Sequence, residues 1–285
     1  MAYPRTLATC YTGDMYLAID IGGTKTLLAR MRKNGEIEEQ LKFPTPQNYQ
    51  EFKALLADYI AKLTTEPWTL VCTAVPGKID RELGVGIAFG NLPWQNVPIR
   101  DDVSAQTNCL VIIENDVKLA GLSEARLLNP PRNKVVYITI STGISDGVII
   151  DNKIDSDLQD SEAGQMLFER DGKLVTWESF ASGKAIVKRF GKKASEIDDE
   201  SIWQVISRDF AIGIIDVAAN IQPDIIIIGG GVGGHYKKYE KFLMDELNKY
   251  GNPMVPIPEV VAAQHPEEAV VYGCYELIKD HEKTT

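Results

Sequence analysis

Short apolar segments alternate along this chain with longer segments in which apolar residues recur every three or four positions. Continuous apolar runs bounded by turn residues predict strands. The predicted strands cover residues 15–21, 68–75, 109–114, 135–140, 147–150 and 225–228. Strands that alternate with helical segments are typical of an α/β architecture.

Two further strands and six helices follow from the same pattern. Asn34-Gly35 separates the strand segments 26–32 and 37–43 and predicts a tight hairpin between them. An i, i+3, i+7 spacing of apolar residues predicts an amphipathic helix over 49–63. The other helices are predicted over 116–128, 178–190, 202–221, 238–250 and 267–279.

The order strand, glycine-threonine turn, strand occurs twice, in LAIDIGGTKTLLAR and VYITISTGISDGVII. This weak internal repeat predicts two α/β lobes with a ligand cleft between them. We place the lobes at residues 15–117 and 118–266 and interpret residues 1–14 as a tail.

Composition excludes several classes of protein. The 285 residues are 44% hydrophobic, enough for two modest cores, and the net charge of -10 disfavours a nucleic-acid partner. No segment approaches the roughly 20 apolar residues of a membrane span, and the start of the chain lacks a signal-peptide pattern. The four cysteines form no C-x-x-C pair, which favours a reducing cytoplasm, with Cys72 and Cys109 as core residues.

Three glycine-rich turns follow predicted strands: Gly22-Gly23-Thr24, Thr142-Gly143 and Gly229-Gly230-Gly231. Glycine lets backbone amides approach a phosphate closely, and a threonine hydroxyl adds a donor. Each turn taken singly is better explained as a tight structural turn. Three of them at strand ends favour phosphate binding, although none fits a Walker A loop or a Rossmann motif.

Two charged residues flank the first turn. Asp20 ends the first strand, where its carboxylate could hold magnesium through water or form an Asx turn. Lys25 could steady a phosphate or stay solvated.

Asp116 follows the strand CLVIIE and begins a predicted helix. A carboxylate at the carboxyl end of a strand faces a ligand site, so Asp116 could take the proton of an attacking hydroxyl. Aspartate is equally favoured as a helix N-cap, and one residue can serve both roles.

Carboxylates and amides bind the adjacent hydroxyls of sugars. Glu162, Gln165, Glu178 and Asn91 are candidates, although each alone also fits a surface or turn residue. Trp94 fits a packing residue as well as a residue that stacks on a sugar.

Taken together, these motifs resemble the ROK family of sugar kinases and sugar-responsive repressors. The resemblance covers nearly the whole chain from Met15. It rests on DIGGTKT, VPGKID, GNLPWQNVPI, ENDVKLAGLSEA, STGISDGVI, EAGQM, WESFASGKAI and IIIIGGGVG.

The resemblance implies an actin-like, ribonuclease-H-type fold with ATP and magnesium in the cleft. It implies Asp116 as catalytic base, and the three glycine-rich turns around the nucleotide, with Gly229–Gly231 near the adenosine. The sugar would be lined by Gly77, Asn91, Asn115, Asp116, Glu162, Gln165 and Glu178. The family also implies that the C-terminal helix, 267–285, joins the first lobe, and it favours a homodimer.

Two departures concern zinc, and a third concerns Asp146. Gln165 stands where the family usually has a histidine, and residues 168–177 contain no cysteine. An amide is a poor zinc ligand, so we expect no structural zinc. Ser145-Asp146 stands where the family usually has more glycine, and the charge of Asp146 could weaken ATP binding or help to hold a metal.

The leading hypothesis is therefore an ATP-dependent glucokinase of carbohydrate metabolism. The alternatives keep the phosphate-transfer reaction and change one substrate. The acceptor could be mannose, fructose or an N-acetylated amino sugar, or the donor could be polyphosphate. A repressor needs a DNA-binding module, for which the nineteen residues before Asp20 are too few. A sugar-binding protein without catalysis is the remaining alternative.

Overall fold

The computed structural model describes residues 13–63, 67–265 and 268–284. The predicted tail therefore lies almost wholly outside the described residues, as does Glu267 at the start of the last predicted helix. The chain divides into two compact units, residues 1–119 with 270–285 and residues 120–269.

Strands and helices are numbered in chain order. The strands are β1 Met15–Ile21, β2 Lys25–Arg32, β3 Ile37–Pro44, β4 Leu70–Val75, β5 Lys78–Asp80, β6 Val85–Ala88, β7 Gln95–Val97, β8 Val111–Asn115, β9 Lys134–Ile140, β10 Ile144–Ile150, β11 Lys153–Ile154, β12 Leu167–Arg170, β13 Lys173–Thr176, β14 Ile225–Gly229 and β15 Glu259–Ala262. The helices are α1 Tyr49–Leu63, α2 Ile99–Thr107, α3 Asp116–Arg126, α4 Trp177–Ala181, α5 Gly183–Phe190, α6 Glu200–Ile221, α7 Gly230–Gly233, α8 Glu240–Leu247 and α9 Ala269–Thr284.

The first unit is built on a five-stranded sheet with the order β3-β2-β1-β4-β8. β1 and β2 form an antiparallel hairpin, whereas β1, β4 and β8 run parallel. β5, β6 and β7 form a separate small antiparallel sheet.

Both faces of this sheet are covered because alternate side chains of a strand point to opposite faces. Leu17 and Ile19 of β1 belong to a core with residues of α1 and α2. Tyr16 and Ala18 belong to a second core with residues of α9. The C-terminal helix therefore packs on the sheet with which the chain begins.

The second unit repeats the same plan, with a five-stranded sheet in the order β11-β10-β9-β14-β15. Its first hairpin, β9 and β10, is antiparallel, and β9, β14 and β15 run parallel. The internal repeat read from the sequence is therefore confirmed at the level of strand order.

One core fills the second unit between the sheet and the helices α4, α5, α6 and α8. Trp177 is fully buried in it and donates a hydrogen bond from its indole nitrogen to the carbonyl of Asp209, at 3.0 Å. Gly213 of α6 makes room for this ring, since a Cβ at that position would lie 2.1 Å from Trp177 Cε2.

β12 and β13 form a hairpin in the segment that contains no cysteine. Its end is fixed by an ion pair of 3.1 Å between Arg170 and Asp209, which also pairs with Arg189 at 2.8 Å. Burial raises the pKa of Asp209, and both arginines oppose that rise.

The long predicted elements are confirmed, including β1, the β2–β3 hairpin, α1, β9, α6 and β14. The predicted helix over 178–190 is interrupted, because Ser182 is extended and caps α5 by accepting a hydrogen bond from the amide of Ala185. The strands β5, β6, β7, β11, β12, β13 and β15 and the helix α2 were not predicted.

Cys72 and Cys109 are buried, as predicted. Among the described residues, no helix has the length and apolar character that a membrane crossing requires.

We predict that Gly273→Ala destabilises the protein although alanine is the better helix former. An added Cβ on α9 would lie 2.1 Å from the carbonyl oxygen of Leu119, which is backbone and cannot move aside. We expect a loss of about 1–3 kcal/mol in the free energy of unfolding, measured by urea denaturation.

Gly90→Ala is the matched control, since no atom of the described residues lies within 4 Å of a Cβ there. It should change the free energy of unfolding by less than about 0.5 kcal/mol. Equal stability of the Gly273 variant and the control would contradict the packing of α9 described above.

Candidate active site

Polar residues of the first unit gather where its parallel strands end. β1, β4 and β8 are neighbours in register, with Asp20 opposite Ala74 and Ala74 opposite Glu114. The carboxyl ends of β1, β4 and β8 therefore lie at one edge of the sheet, which brings Asp20, Gly77, Asn115 and Asp116 to that edge.

Asn115 is the central residue of this edge. Its side-chain nitrogen donates to the carbonyl of Gly77 at 2.9 Å. Its side-chain oxygen accepts the amides of Val117 at 2.9 Å and Lys118 at 3.2 Å. Asn115 is therefore the cap of α3, and Asp116 is the first helical residue.

This geometry bears on the interpretation of Asp116 as the helix cap. Since Asn115 already caps the helix, the half-buried carboxylate of Asp116 is not needed for that purpose. The Oδ1 atom of Asp116 accepts the amide of the next residue, Val117, at 2.9 Å in α3.

Two charged residues that the sequence analysis did not select hold Asn115 in place. Glu114 is buried and forms a bidentate ion pair with Arg81, with a closest approach of 2.5 Å. Oε1 of Glu114 also accepts the amide of Asn115 at 2.6 Å. The small sheet that carries Arg81 is thereby tied to the end of β8.

Gly77, Asn91 and Gly23 connect this edge to the first glycine-rich turn. Gly77 has a φ of +88°, and a Cβ there would lie 2.3 Å from the carbonyl oxygen of Ala88. A Cβ at Gly23 would lie 2.6 Å from the Cβ of exposed Asn91. A predicted phosphate residue and a predicted sugar residue are thus in contact.

Hydrogen bonds from neighbouring residues fix the Gly22-Gly23-Thr24 turn. The amide of Gly22 donates to the carbonyl of Lys25 at 3.0 Å, so it is used in closing the turn. Thr45, another residue that the sequence analysis missed, donates its hydroxyl to the carbonyl of Gly22 at 2.7 Å. Within the described residues no backbone bond engages the amides of Gly23 and Thr24.

Asp20 is half-buried beside this turn. In the described part of the chain, no hydrogen bond or ion pair engages its carboxylate, so the Asx-turn interpretation has no support. Burial raises the pKa of Asp20 from 3.8 to about 6, although the charge of Lys42 opposes the rise. Lys25 is exposed at the start of β2.

Trp94 is a packing residue and not a stacking platform. It is 4% exposed, and its ring lies among Phe52, Phe89 and Tyr49. Its indole nitrogen donates to the carbonyl of Gln47 at 2.9 Å.

In the second unit, Glu178 and Gln165 lie beside the Thr142-Gly143 turn. Gln165 donates to Oε1 of Glu178 at 2.8 Å, and Oε2 of Glu178 is 3.4 Å from the amide of Ile144. A Cβ at Gly143 would lie 2.8 Å from Oε2 of Glu178. Glycine therefore allows this carboxylate to lie directly on the turn.

Glu162 belongs to the same group. Its carboxylate accepts the hydroxyl of Ser145 at 2.9 Å. Asp146 is buried, and its two oxygens accept the hydroxyl of Ser161 at 2.6 Å and the amide of Ala163 at 2.7 Å. Because its carboxylate is buried in these protein contacts, the structure gives no support to the expectation that Asp146 helps to hold a metal.

The Gly229–Gly231 turn lies next to the end of β9. Gly229 is opposite Thr139 in the parallel pair of β14 and β9. Gly230 has a φ of +80°, and a Cβ there would lie 2.6 Å from Oγ1 of Thr139. The second and third glycine-rich turns therefore share one edge of the second sheet.

The described residues contain no group of three or more histidine, cysteine, aspartate or glutamate side chains placed to hold a metal ion.

The predicted site residues form two sets, one in each unit. Arg81, Glu114, Thr45, Ser145 and Ser161 were missed because their roles depend on partners distant in sequence.

Comparison with known proteins identifies similarity over most of the chain. The family model described as "ROK family" matches residues 16–281. Over 93% of this chain and 97% of its own length, the glucokinase of Streptomyces coelicolor is 23% identical. The N-acetylmannosamine kinase of Haemophilus influenzae (strain PittEE) is 26% identical over 93% of this chain and 95% of its own length. A fructokinase of Pediococcus pentosaceus is 28% identical over 75% of this chain and 79% of its own.

Solved structures share the fold. A ROK family glucokinase from Streptomyces griseus, in complex with glucose and AMPPNP, superposes with a TM-score of 0.78, at 23% identity over 92% of this chain and 98% of its own. A ROK family transcriptional regulator gives a TM-score of 0.81, at 18% identity over 93% of this chain and 78% of its own. The expected fold class, an actin-like, ribonuclease-H-like α/β fold, is confirmed.

The raised pKa of Asp20 predicts a pH-dependent stability. Between pH 4 and pH 6 the folded chain binds more protons at this site than the unfolded chain, so stability falls as pH rises through this window. Asp20→Asn removes that fall and should be more stable than wild type by about 1–3 kcal/mol at pH 7.5, with no difference at pH 3.5.

Urea denaturation at the two pH values measures this difference. Asp58→Asn, at an exposed position of α1, is the control and should follow wild type at both. Parallel pH dependences for wild type and Asp20→Asn would show that burial does not raise the pKa of Asp20.

Proposed function

The chain belongs to the ROK family, and from this premise we propose that it is a sugar kinase that transfers the terminal phosphate of ATP to a hexose hydroxyl. The observation that carries the proposal is the arrangement of Asn115 and Asp116 at the end of β8. Asn115 caps α3 and fixes Gly77, and Asp116 follows it as the first residue of the helix, at the edge where β1, β4 and β8 end.

Asp116 is proposed as the general base. As the hydroxyl oxygen of the sugar attacks the terminal phosphorus of ATP, the Asp116 carboxylate takes the hydroxyl proton, and the bond to the leaving phosphate oxygen breaks. The products are a sugar phosphate and ADP. Positioning and charge neutralisation supply most of the rate enhancement in such transfers.

The phosphates of ATP would be bound by backbone amides of the glycine-rich turns. In the first unit the amides of Gly23 and Thr24 are the donors that the turn does not use itself, and Lys25 adds a positive charge. In the second unit Thr142 and Gly143 are the corresponding residues, with Gly229, Gly230 and Gly231 near the adenosine.

Asp20 fits a magnesium ion. Its carboxylate is half-buried, lacks a partner among the described residues and has a raised pKa, so a cation would supply the missing stabilisation of its charged form. Magnesium, when bound, would neutralise charge on the phosphates. This chain would contribute the Asp20 carboxylate, which lies at the end of β1 beside the first turn.

Each unit carries its own set of proposed sugar ligands. Asn91, Asn115 and Gly77 are the proposed ligands from the first unit. Glu162, Gln165 and Glu178 are the proposed ligands from the second, where Gln165 already donates to Glu178 at 2.8 Å. Carboxylates and amides together can accept from and donate to neighbouring hydroxyls.

Glucose is the proposed acceptor. It is named in the descriptions of the Streptomyces coelicolor and Streptomyces griseus relatives. Fructose, mannose and N-acetylmannosamine are the alternatives to test, since relatives named for fructose and N-acetylmannosamine have similar identities of 28% and 26%.

A sugar-binding protein without catalysis is the candidate of another class. The structural similarity to a transcriptional regulator, with a TM-score of 0.81, supports it, because the fold occurs with a regulatory function. Turnover distinguishes the two candidates.

We predict that Asp116→Asn lowers sugar-dependent ADP release by about 100-fold or more, because the amide cannot take a proton. The measurement is a coupled assay of ADP release with glucose, mannose, fructose and N-acetylmannosamine, in the presence of magnesium. Parallel assays of sugar phosphate formation with polyphosphate test the other donor.

Asp58→Asn is the matched control and should keep full activity. Unfolding curves should show that Asp116→Asn is as stable as wild type, because Asn115 still caps α3. An equal background rate for wild type and Asp116→Asn on every sugar and donor would favour the non-catalytic candidate.

A further inference from the structure

Asp146 lies in the middle of the second sheet and yet contacts the segment that carries two proposed sugar ligands. It lies on β10 opposite Ile138 of β9 and is 1% exposed. Burying a carboxylate is costly unless hydrogen bonds to its oxygens offset the lost hydration. The groups that donate hydrogen bonds to Asp146 therefore indicate its structural role.

Two hydrogen-bond donors to Asp146 come from one short segment. Ser161 donates its hydroxyl to Oδ2 at 2.6 Å, and Ala163 donates its amide to Oδ1 at 2.7 Å. The residue between these two donors is Glu162. A single buried carboxylate thus binds the Ser161 side chain on one side of Glu162 and the Ala163 backbone on the other.

Gln165 is positioned by the same contact. Ala163 begins a short 3-10 turn, Ala163–Gln165, in which the amide of Gln165 donates to the carbonyl of Glu162 at 3.0 Å. A Cβ at Gly164 would lie 2.0 Å from the carbonyl oxygen of Ile144, so the turn lies directly on β10. The bond to Ala163 fixes the first residue of this turn.

Ser145, which precedes Asp146, completes the arrangement. Its hydroxyl donates to the carboxylate of Glu162 at 2.9 Å. Asp146 holds the backbone around Glu162, and Ser145 orients the Glu162 side chain.

We propose that Asp146 is a positioning residue for sugar binding. Its buried carboxylate fixes the 161–165 segment and thereby holds Glu162 and Gln165 in a geometry that binds the sugar. This inference rests on the proposed function, because it assigns Glu162 and Gln165 to the sugar. It requires no metal ion to hold the segment.

Three variants test the proposal. Asp146→Ala removes both bonds and should raise the KM for the sugar by about 10- to 100-fold, with the KM for ATP within about twofold of wild type. Ser161→Ala removes one bond and should have a smaller effect in the same direction. Asp146→Asn should restore most of the sugar affinity, since its amide can accept from Ala163 and donate to the Ser161 oxygen.

Asp224→Ala is the matched control. Like Asp146, Asp224 accepts two hydrogen bonds from a neighbouring segment, here from the amides of Asn133 at 3.0 Å and Lys134 at 2.9 Å. These amides lie at the start of β9, whereas the sugar ligands lie beyond its end. The control should leave the KM for the sugar unchanged even if it lowers the stability.

Calorimetric binding of glucose, mannose, fructose and N-acetylmannosamine gives a readout that does not depend on turnover. If Asp146→Ala and Ser161→Ala fold and keep the sugar KM and affinity of wild type, the proposal is overturned while the kinase function stands. If Asp146→Ala and Ser161→Ala raise the KM values for sugar and ATP equally, the role is structural and the proposal is also overturned.

The proposed function fails separately if wild type binds a sugar and releases no ADP. In that case weaker sugar binding by Asp146→Ala still supports the positioning role. If wild type binds none of the four sugars, both the function and the inference are overturned.

Discussion

The parallel pairing of β1, β4 and β8 is the constraint on which the candidate site depends. Because these strands are neighbours in register, Asp20 and Asn115 leave the sheet at the same edge although ninety-five positions separate them. Apolar side chains on both faces of the sheet hold that register, since a shift by one residue would exchange the two cores. The hydrophobic pattern of the first unit therefore decides where its polar residues meet.

The second unit has the same strand order, but different polar residues lie at the corresponding edge of its sheet. At the edge where β9 and β14 end, its turns lie beside carboxylates that are held by side-chain hydrogen bonds. In the first unit an asparagine and an ion pair fix the backbone near Asp116. In the second, a buried aspartate fixes the backbone near Glu162. Two copies of one architecture thus carry different chemistry, which agrees with a repeat that is clear in topology and weak in side-chain identity.

Much of the fold and the positions of the candidate residues could be predicted from the sequence. Continuous apolar runs such as Ile225–Ile228 admit few interpretations, and glycine-rich turns after strands mark the ends where ligands bind. The hairpin of β12 and β13 could not be predicted, because Leu167 and Leu174 are exposed and its polar residues follow no regular alternation. The hydrogen-bond partners of Asp146 could not be predicted for a related reason. Its sequence neighbours suggested a phosphate loop, whereas its donors, Ser161 and Ala163, lie fifteen and seventeen positions away.

Hydrogen–deuterium exchange with and without a bound sugar tests the central claim most directly, because it reports where the ligand acts. The sugar is the one that gives the fastest ADP release, at a saturating concentration. The account predicts slower exchange of amides in two segments, 115–118 around Asp116 and 161–166 around Glu162, with no change in α1. Saturation by the sugar without protection of residues 115–118, or with protection confined to other elements, would contradict the assignment of the site.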